Sequence, residues 1–316
     1  MLKNEAIYVA GHKGLAGNGI FAYLKKHGYS NLIGTSSSEL DLRNRPEVFS
    51  FMENVRPKVV IDAAARVGGI FANNTYPADF ISENLQIQVN LMDSAAAAGV
   101  ERFIFLGSSC IYPKFAEQPI KESALLTGPL EPTNSPYGVA KIAGILHVQS
   151  IRRQFHRNWI SVMPTNLYGP NDNYHPENSH VMAALIRKIY EARESQAEEV
   201  SIWGSGTPLR EFLHVEDLGS ATEFLLANYD SDEPINVGTG EEISIANLAR
   251  LIADQLGFSG KLVFDRSKPD GTPRKMLDST KLRDYGWKPA ISLEKGIADA
   301  FEWFKANLHS PRVNIS

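Results

Sequence analysis

Ala6-Ile7-Tyr8-Val9-Ala10-Gly11-His12-Lys13-Gly14-Leu15-Ala16-Gly17 is the stretch from which the architecture is read. A short apolar run that stops at a glycine reads as a buried strand. Glycines at 11, 14 and 17 then open a helical pattern. Bare backbone N–H groups and the helix dipole make such a corner favourable for a pyrophosphate. The spacing is Gly-x-x-Gly-x-x-Gly rather than Gly-x-Gly-x-x-Gly, and glycines alone also make plain turns. The strand-turn-helix context predicts a dinucleotide-binding loop.

Working outward, helical patterns at 20–26, 46–55 and 80–98 alternate with apolar runs at 31–34, 59–61, 102–106 and 160–163. Strands that alternate with helices predict a parallel sheet covered on both faces. After Asn166 the texture changes to a loop rich in Pro, Asn and His, Tyr168-Gly169-Pro170-Asn171-Asp172-Asn173-Tyr174-His175-Pro176, which marks a domain exit. Helices are expected at 181–194, 218–228, 245–256 and 293–304, with strands at 200–203, 235–237 and 262–264. The expected fold is α/β: a Rossmann-type doubly wound parallel sheet with a smaller, mixed α/β C-terminal substrate domain. The division expected is 1–167 with 213–238 for the cofactor, and 168–212 with 239–316 for the substrate.

At 316 residues, 43% hydrophobic and 22% charged, the composition is that of an ordinary globular protein with room for a large core. A net charge of −4 supplies no basic field for nucleic acid or anionic lipid. The single cysteine, Cys110, excludes an internal disulfide, and no zinc spacing is present. Met1-Leu2-Lys3-Asn4-Glu5 runs directly into the first strand, and no apolar run approaches spanning length. A cytoplasmic protein with a small-molecule substrate, no nucleic acid and no membrane partner is expected.

About twenty residues beyond the glycines, an NAD-binding fold usually carries an acid for the ribose hydroxyls. Here Thr35-Ser36-Ser37-Ser38 precedes Glu39 and Asp41. Hydroxyls donate to a 2′-phosphate and Lys13 adds charge, which favours NADP; Glu39 keeps the NAD alternative open.

Tyr137 and Lys141 are four residues apart, hence on one helical face. A nearby ammonium is expected to lower a phenol's pKa and make it an acid or base near neutrality. Ser108 follows the end of the 102–106 strand and completes a set suited to hydride transfer. Cys110 taken alone reads as a small buried hydrophobe, and His180, Trp203 and Arg210 as structural or surface residues. As a pair, Cys110 and His180 suit a carbon acid approached from opposite sides, while Trp203 and Arg210 suit a nucleotide diphosphate.

With these residues in view the chain resembles the extended short-chain dehydrogenase/reductase superfamily, and within it the epimerase-reductases of GDP-4-keto-6-deoxy sugars. The resemblance spans essentially the whole chain. It is carried by Val67-Gly68-Gly69-Ile70, Gly107-Ser108-Ser109-Cys110-Ile111-Tyr112-Pro113, Leu130-Glu131-Pro132-Thr133-Asn134, Met163-Pro164-Thr165-Asn166-Leu167-Tyr168-Gly169-Pro170, Arg210-Glu211-Phe212-Leu213-His214-Val215 and Lys268-Pro269-Asp270-Gly271. It implies that Ser108, Tyr137 and Lys141 are the reductase triad, with Cys110 and His180 the base and acid of epimerisation. It implies an NADP site formed by Gly11, Lys13, Gly14, Leu15, Ala16, Gly17, Ser37, Asp41, Leu42, Leu106, Lys141, Pro164, Asn166, Leu167 and His180. Lys188, Trp203, Arg210 and Asp270 match positions that hold the GDP-sugar.

The implied reaction is inversion of GDP-4-keto-6-deoxy-D-mannose at C3 and C5 followed by NADPH-dependent reduction at C4, in a homodimer. Lys13 stands where the superfamily often has arginine, and so does Ser37 relative to some members. A 4,6-dehydratase is disfavoured, because that family resembles Thr-Asp-Glu where this chain has Ser108-Ser109-Cys110. A C4 reductase or epimerase of a related GDP-deoxysugar, such as a deoxyheptose, and a cofactor-binding regulator without turnover are the competing readings.

Overall fold

The computed structural model describes residues 3–176, 178–268, 270–310, 312 and 313. Met1, Leu2 and Pro269, quoted above, lie outside the described residues. The first half runs β1 (Ile7–Ala10), α1 (Leu15–Lys26), β2 (Leu32–Ile33), α2 (Arg45–Val55), β3 (Val59–Asp62), α3 (Ile70–Thr75), α4 (Pro77–Ala97), β4 (Arg102–Leu106), α5 (Ser135–Phe155), β5 (Asn158–Pro164) and β6 (Asn166–Tyr168). The second continues with α6 (Val181–Glu194), β7 (Glu199–Trp203), β8 (Leu209–Arg210), β9 (Phe212–His214), α7 (Val215–Asn228), β10 (Ile235–Val237) and β11 (Ile243–Ser244). It ends with α8 (Ile245–Leu256), β12 (Lys261–Asp265), β13 (Arg274–Lys275), α9 (Thr280–Asp284) and α10 (Leu293–Ala306).

Six strands form a wholly parallel sheet in the order β10-β5-β4-β3-β1-β2. Alternate side chains point to opposite faces of a strand. Tyr8, Val60, Phe103 and Phe105 therefore enter one apolar core with residues of α2, α4 and α5. Ile7, Ile61, Ile104 and Leu106 enter the other with residues of α1 and α7. Burial on both faces is why these strands are continuous apolar runs rather than alternating ones. The order also reverses at β1, whose neighbours β2 and β3 lead away in opposite directions. The crevice beyond such a reversal is where open α/β sheets bind ligands.

A third core joins α6, α8 and α10 to Val200 and Ile202 of β7. Helix α8 shows why it forms. Ile245, Leu248, Ala249, Ile252, Ala253 and Leu256 are buried at helical spacing. The Ser244 hydroxyl caps the start by accepting from the Asn247 N–H at 3.1 Å, and Gly257 ends the helix at φ +69°. Truncating the fully buried Ile252 to alanine would cost about 2–5 kcal/mol.

Strand β6 pairs in parallel with β9, Asn166 opposite Phe212 and Tyr168 opposite His214. The segment 169–211 therefore departs and returns on adjacent strands. Helix α3 was not expected from its glycine- and asparagine-rich surroundings. It is held by the Asn73 side-chain amide, which donates to the Gly68 and Gly69 carbonyls at 2.8 and 3.0 Å.

Candidate active site

The loop between β1 and α1 lies in the sheet's crevice and has no room for side chains. A Cβ on Gly11 would stand 2.7 Å from the Ala63 carbonyl oxygen, and one on Gly17 would stand 2.2 Å from that of Gly11. Gly11 also needs its φ of +75°, a region that favours glycine. Gly14 caps α1 without any side-chain bond, and the first turn contains no acid. These N–H groups and this sterically bare cradle fit the pyrophosphate of a dinucleotide. Lys13 is exposed at the rim, and its carbonyl accepts from Asn171 Nδ2 at 2.7 Å and from Arg312.

In the following loop, the Glu39 carboxylate accepts from the Ser36 N–H at 2.7 Å and from the Ser36 hydroxyl at 2.5 Å. Those bonds hold it below the usual carboxylate range. Ser37 is exposed. Asp41 is engaged by the Arg43 guanidinium at 2.9 Å, and Leu42 packs into the apolar core. Pro164, Asn166 and Leu167 follow at the end of β5, where Asn166 Nδ2 donates to the Glu211 carbonyl at 2.7 Å.

The sheet's C-terminal edge also positions the reactive side chains. After β4 the Ser108 hydroxyl accepts from the Cys110 N–H at 3.2 Å and caps a short helical turn. Helix α5 crosses nearby, closely enough that a Cβ on Gly144 would stand 2.3 Å from the Phe105 ring. It carries Tyr137, whose phenol lies close enough to the Ser108 hydroxyl for that hydroxyl to favour its ionised form. Lys141 donates to the Leu106 carbonyl at 2.9 Å, with its Nζ 5.9 Å from the Tyr137 ring centre.

The direction of the Tyr137 pKa differs from the expectation. Burial first and then the neighbouring Cys110 charge push the phenol upward, outweighing the opposite pull of Ser108. The i, i+4 spacing aligned the two side chains, but burial of both governs their charges. Lys141 itself is pulled downward by burial against the opposing charge of Asp62.

Cys110 has two partners that the sequence did not reveal. Lys275 Nζ and Asn134 Nδ2 each donate to its sulfur at 3.3 Å. Burial opposes ionisation of the thiol. The Lys275 charge, hydrogen bonds from Ser108 and Lys275, and the Arg210 charge outweigh that penalty and hold it below its ordinary value. A lowered thiol pKa beside cations marks a reactive cysteine. His180 immediately precedes α6, is solvent-accessible, and is pushed downward by desolvation in the cleft and by Lys275.

Arg210 and Lys275 are register partners in the parallel β8–β13 pair. Like charges placed opposite each other on neighbouring strands repel, so the pair is disposed to receive an anion. Glu211 fastens this corner: fully buried, its carboxylate accepts from Leu277 N–H at 3.0 Å and from Gly240 N–H at 2.8 Å.

Trp203 is 51% exposed at the end of β7, its face flanked by Lys188 and Lys268 at 5.0 and 5.4 Å. Asp270 accepts from the Ser205 N–H at 2.7 Å, and its charge only partly offsets the burial that holds Arg210 downward. An exposed indole between two ammoniums, with an arginine nearby, offers a face for a base and charge for phosphates. The expected residues therefore fall into three groups: the glycine cradle, the Ser108–Cys110–Tyr137–Lys141 centre with His180, and the Trp203 corner.

A doubly wound sheet with this cradle and this serine-tyrosine-lysine set defines a nicotinamide-dinucleotide enzyme, and the chain belongs to the NAD dependent epimerase/dehydratase family, whose pattern matches residues 7–238. Putative GDP-L-fucose synthase 2 of Arabidopsis thaliana is 57% identical over 306 residues, covering 97% of this chain and 93% of that one. GDP-L-fucose synthase of Escherichia coli is 49% identical over 315 residues, covering 97% and 98%. The structure of a GDP-L-fucose synthetase from Naegleria fowleri bound to NADP superposes with a TM-score of 0.90 at 30% identity, covering 99% of this chain and 97% of that one.

Proposed function

We propose that this chain converts GDP-4-keto-6-deoxy-D-mannose to GDP-L-fucose, inverting C3 and C5 and then reducing C4 with NADPH. The observation that carries the reading is the thiol of Cys110, held by Lys275 at 3.3 Å, on the short turn that Ser108 caps beside Tyr137. Hydride chemistry and carbon-acid chemistry thereby share one centre. Relatives named GDP-L-fucose synthase at 49 and 57% identity support it.

A ketone at C4 acidifies the hydrogens on C3 and C5, because the resulting carbanion delocalises onto oxygen. Ser108 and Tyr137 hydroxyls donate to that oxygen. The Cys110 thiolate removes the proton from one face, and His180 delivers one to the other. Because the imidazole is held low, it collects its proton from solvent in the cleft before each delivery, and the thiol gives its proton up to solvent between the two inversions. Bound NADPH supplies hydride for the last step. Tyr137 keeps its phenolic proton, as its raised pKa requires, and gives it to the C4 oxygen. Reduction comes last, since it removes the ketone on which both inversions depend. Trp203, Lys188 and Asp270 hold the nucleotide, with Arg210 at the diphosphate end.

Residues 1–167 with 213–238 make the NADP-binding domain, and 168–212 with 239–316 the GDP-sugar domain. The separate core of α6, α8 and α10 supports this division, while Leu277, Leu282 and Trp287 of the second segment pack into the cores flanking the sheet. Val89 on α4 with Val139 and Leu146 on α5 are exposed apolar residues on packed helices, which supports a homodimer formed there. A working thiol and NADPH suit a reducing cytoplasm. No helix of the described residues is long and apolar enough to cross a membrane.

The test is incubation with GDP-4-keto-6-deoxy-D-mannose and NADPH in deuterated water, with the product followed by NMR. GDP-L-fucose labelled at C3 and C5 is expected. Absence of both NADPH consumption and deuterium uptake would overturn the reading. Reduction without uptake would favour a C4 reductase of a related GDP-deoxysugar.

A further inference from the structure

A lysine charge buried beside Tyr137 requires a counter-charge. Lys141 is only 2% exposed, with its Nζ 4.7 Å from the Phe105 ring centre. Asp62, fully buried, ends β3 in register with Phe105 of β4 and Ala10 of β1. Register partners in a parallel sheet project to the same face. Asp62 therefore stands beside Phe105 on the face covered by α5, the helix that carries Lys141.

One carboxylate oxygen of Asp62 accepts from the Ala64 N–H at 3.1 Å. The other, Oδ2, is buried without a hydrogen-bond partner. Buried carboxylate oxygens are seldom left unpartnered, and the cost is high unless an opposite charge is near. The charge acting on Asp62 is Lys141, and the carboxylate acting on Lys141 is Asp62. Tyr8 on β1 and Tyr137 on α5 also feel the Asp62 charge; both are pushed upward by burial and stay neutral.

We propose that Asp62 is a positioning residue for the reductive step, keeping Lys141 an ammonium and holding it beneath Tyr137. The inference rests on reading Ser108, Tyr137 and Lys141 as the reductase set. Burial alone drives a lysine toward its neutral amine. As hydride forms the new C–H bond at C4, the carbonyl π bond breaks toward oxygen. The Tyr137 O–H bond breaks and its proton goes to that oxygen. A tyrosinate remains, and an adjacent ammonium stabilises it where a neutral amine does not. Asp62 acts through Lys141 and not on the reacting atoms.

Asp62→Asn preserves shape and the acceptor for Ala64 while removing the charge. The full chain is assayed with GDP-4-keto-6-deoxy-D-mannose and NADPH as a function of pH, with deuterium exchange at C3 and C5 measured in parallel. The kcat for NADPH oxidation should fall on the order of tenfold or more, and its alkaline limb should move to lower pH as Lys141 loses its proton more easily. Exchange should fall by a smaller factor, and Asp62→Asn should add nothing in a Lys141→Met background. An unaltered pH profile, or reduction and exchange falling equally, overturns the inference. If the Asn variant does not fold, Asp62→Ser, smaller but still an acceptor for Ala64, carries the same comparison. An inert wild-type chain would instead overturn the reading of the site.

Discussion

The ammonium of Lys275 lies 3.3 Å from the thiol sulfur of Cys110, a contact between residues 165 positions apart in the chain. It lowers the thiol pKa by stabilising the thiolate, and it lowers His180 by repelling the imidazolium. One cation thus shifts both proton carriers in the same direction.

Exchange needs thiolate and imidazolium together, so its optimum lies midway between the two pKa values. Both are depressed, which places that optimum on the acid side of where the ordinary values would put it. Lys275→Met should raise both and move the optimum upward by about one to three pH units, the usual effect of losing an opposite charge beside a thiol. Solvent deuterium exchange measured against pH checks this. A profile that falls in height without moving would show Lys275 to be only structural.

Tyr137→Phe should lower NADPH oxidation by about 10²- to 10⁴-fold, the range for a positioned proton donor. Ser108 remains as a donor to the enolate oxygen, so exchange at C3 and C5 should suffer less. Stopped-flow absorbance and NMR exchange on one preparation separate the two rates.

Trp203→Ala removes an exposed ring and should leave thermal stability unchanged. Loss of base stacking costs about 1–3 kcal/mol, which raises KM for the GDP-sugar by roughly 5- to 150-fold with kcat near wild type, the signature of lost uniform binding. A fall in kcat with unchanged KM would remove the indole from the nucleotide site.

Gly17→Ala places a methyl 2.2 Å from the Gly11 carbonyl oxygen. Backbone has to shift to admit it, at a cost of about 1–3 kcal/mol. A lower melting temperature is expected, with NADPH affinity, read by nucleotide fluorescence, falling at the same time. Wild-type NADPH affinity in this variant would mean that the cradle is not where the pyrophosphate sits.

Residues 102–106, 181–194, 235–237 and 245–256 form β4, α6, β10 and α8 with the ends their periodicity predicts. Their patterns are local and their caps, such as Ser244 and Gly257, are adjacent in sequence. Helix α3 was hidden because glycine and asparagine are poor helix formers and its support comes from the Asn73 amide. The glycine loop, Ser108, Tyr137 and Lys141 were legible for the same local reason. Lys275 was not, because β13 is brought to Cys110 by pairing distant in sequence, with β8 and through the bridge of Leu277 to Ile120. Asp62 lies just past the apolar run 59–61 and carries no local signal; only the sheet register places it beside Phe105. The upward shift of Tyr137 depends on burial and on Cys110, which are properties of the assembled molecule.

Because β6 and β9 lie side by side, the span from 169 to 211 is spliced into the chain like a cassette whose two ends share one doorway. Its length and content can vary while the six-stranded sheet is left untouched. A graft of this span from a protein with a different sugar preference should therefore fold and still bind the dinucleotide when its α6 and β7 fit the faces of α8, α10 and β12 that they meet here, even where it no longer accepts the original sugar.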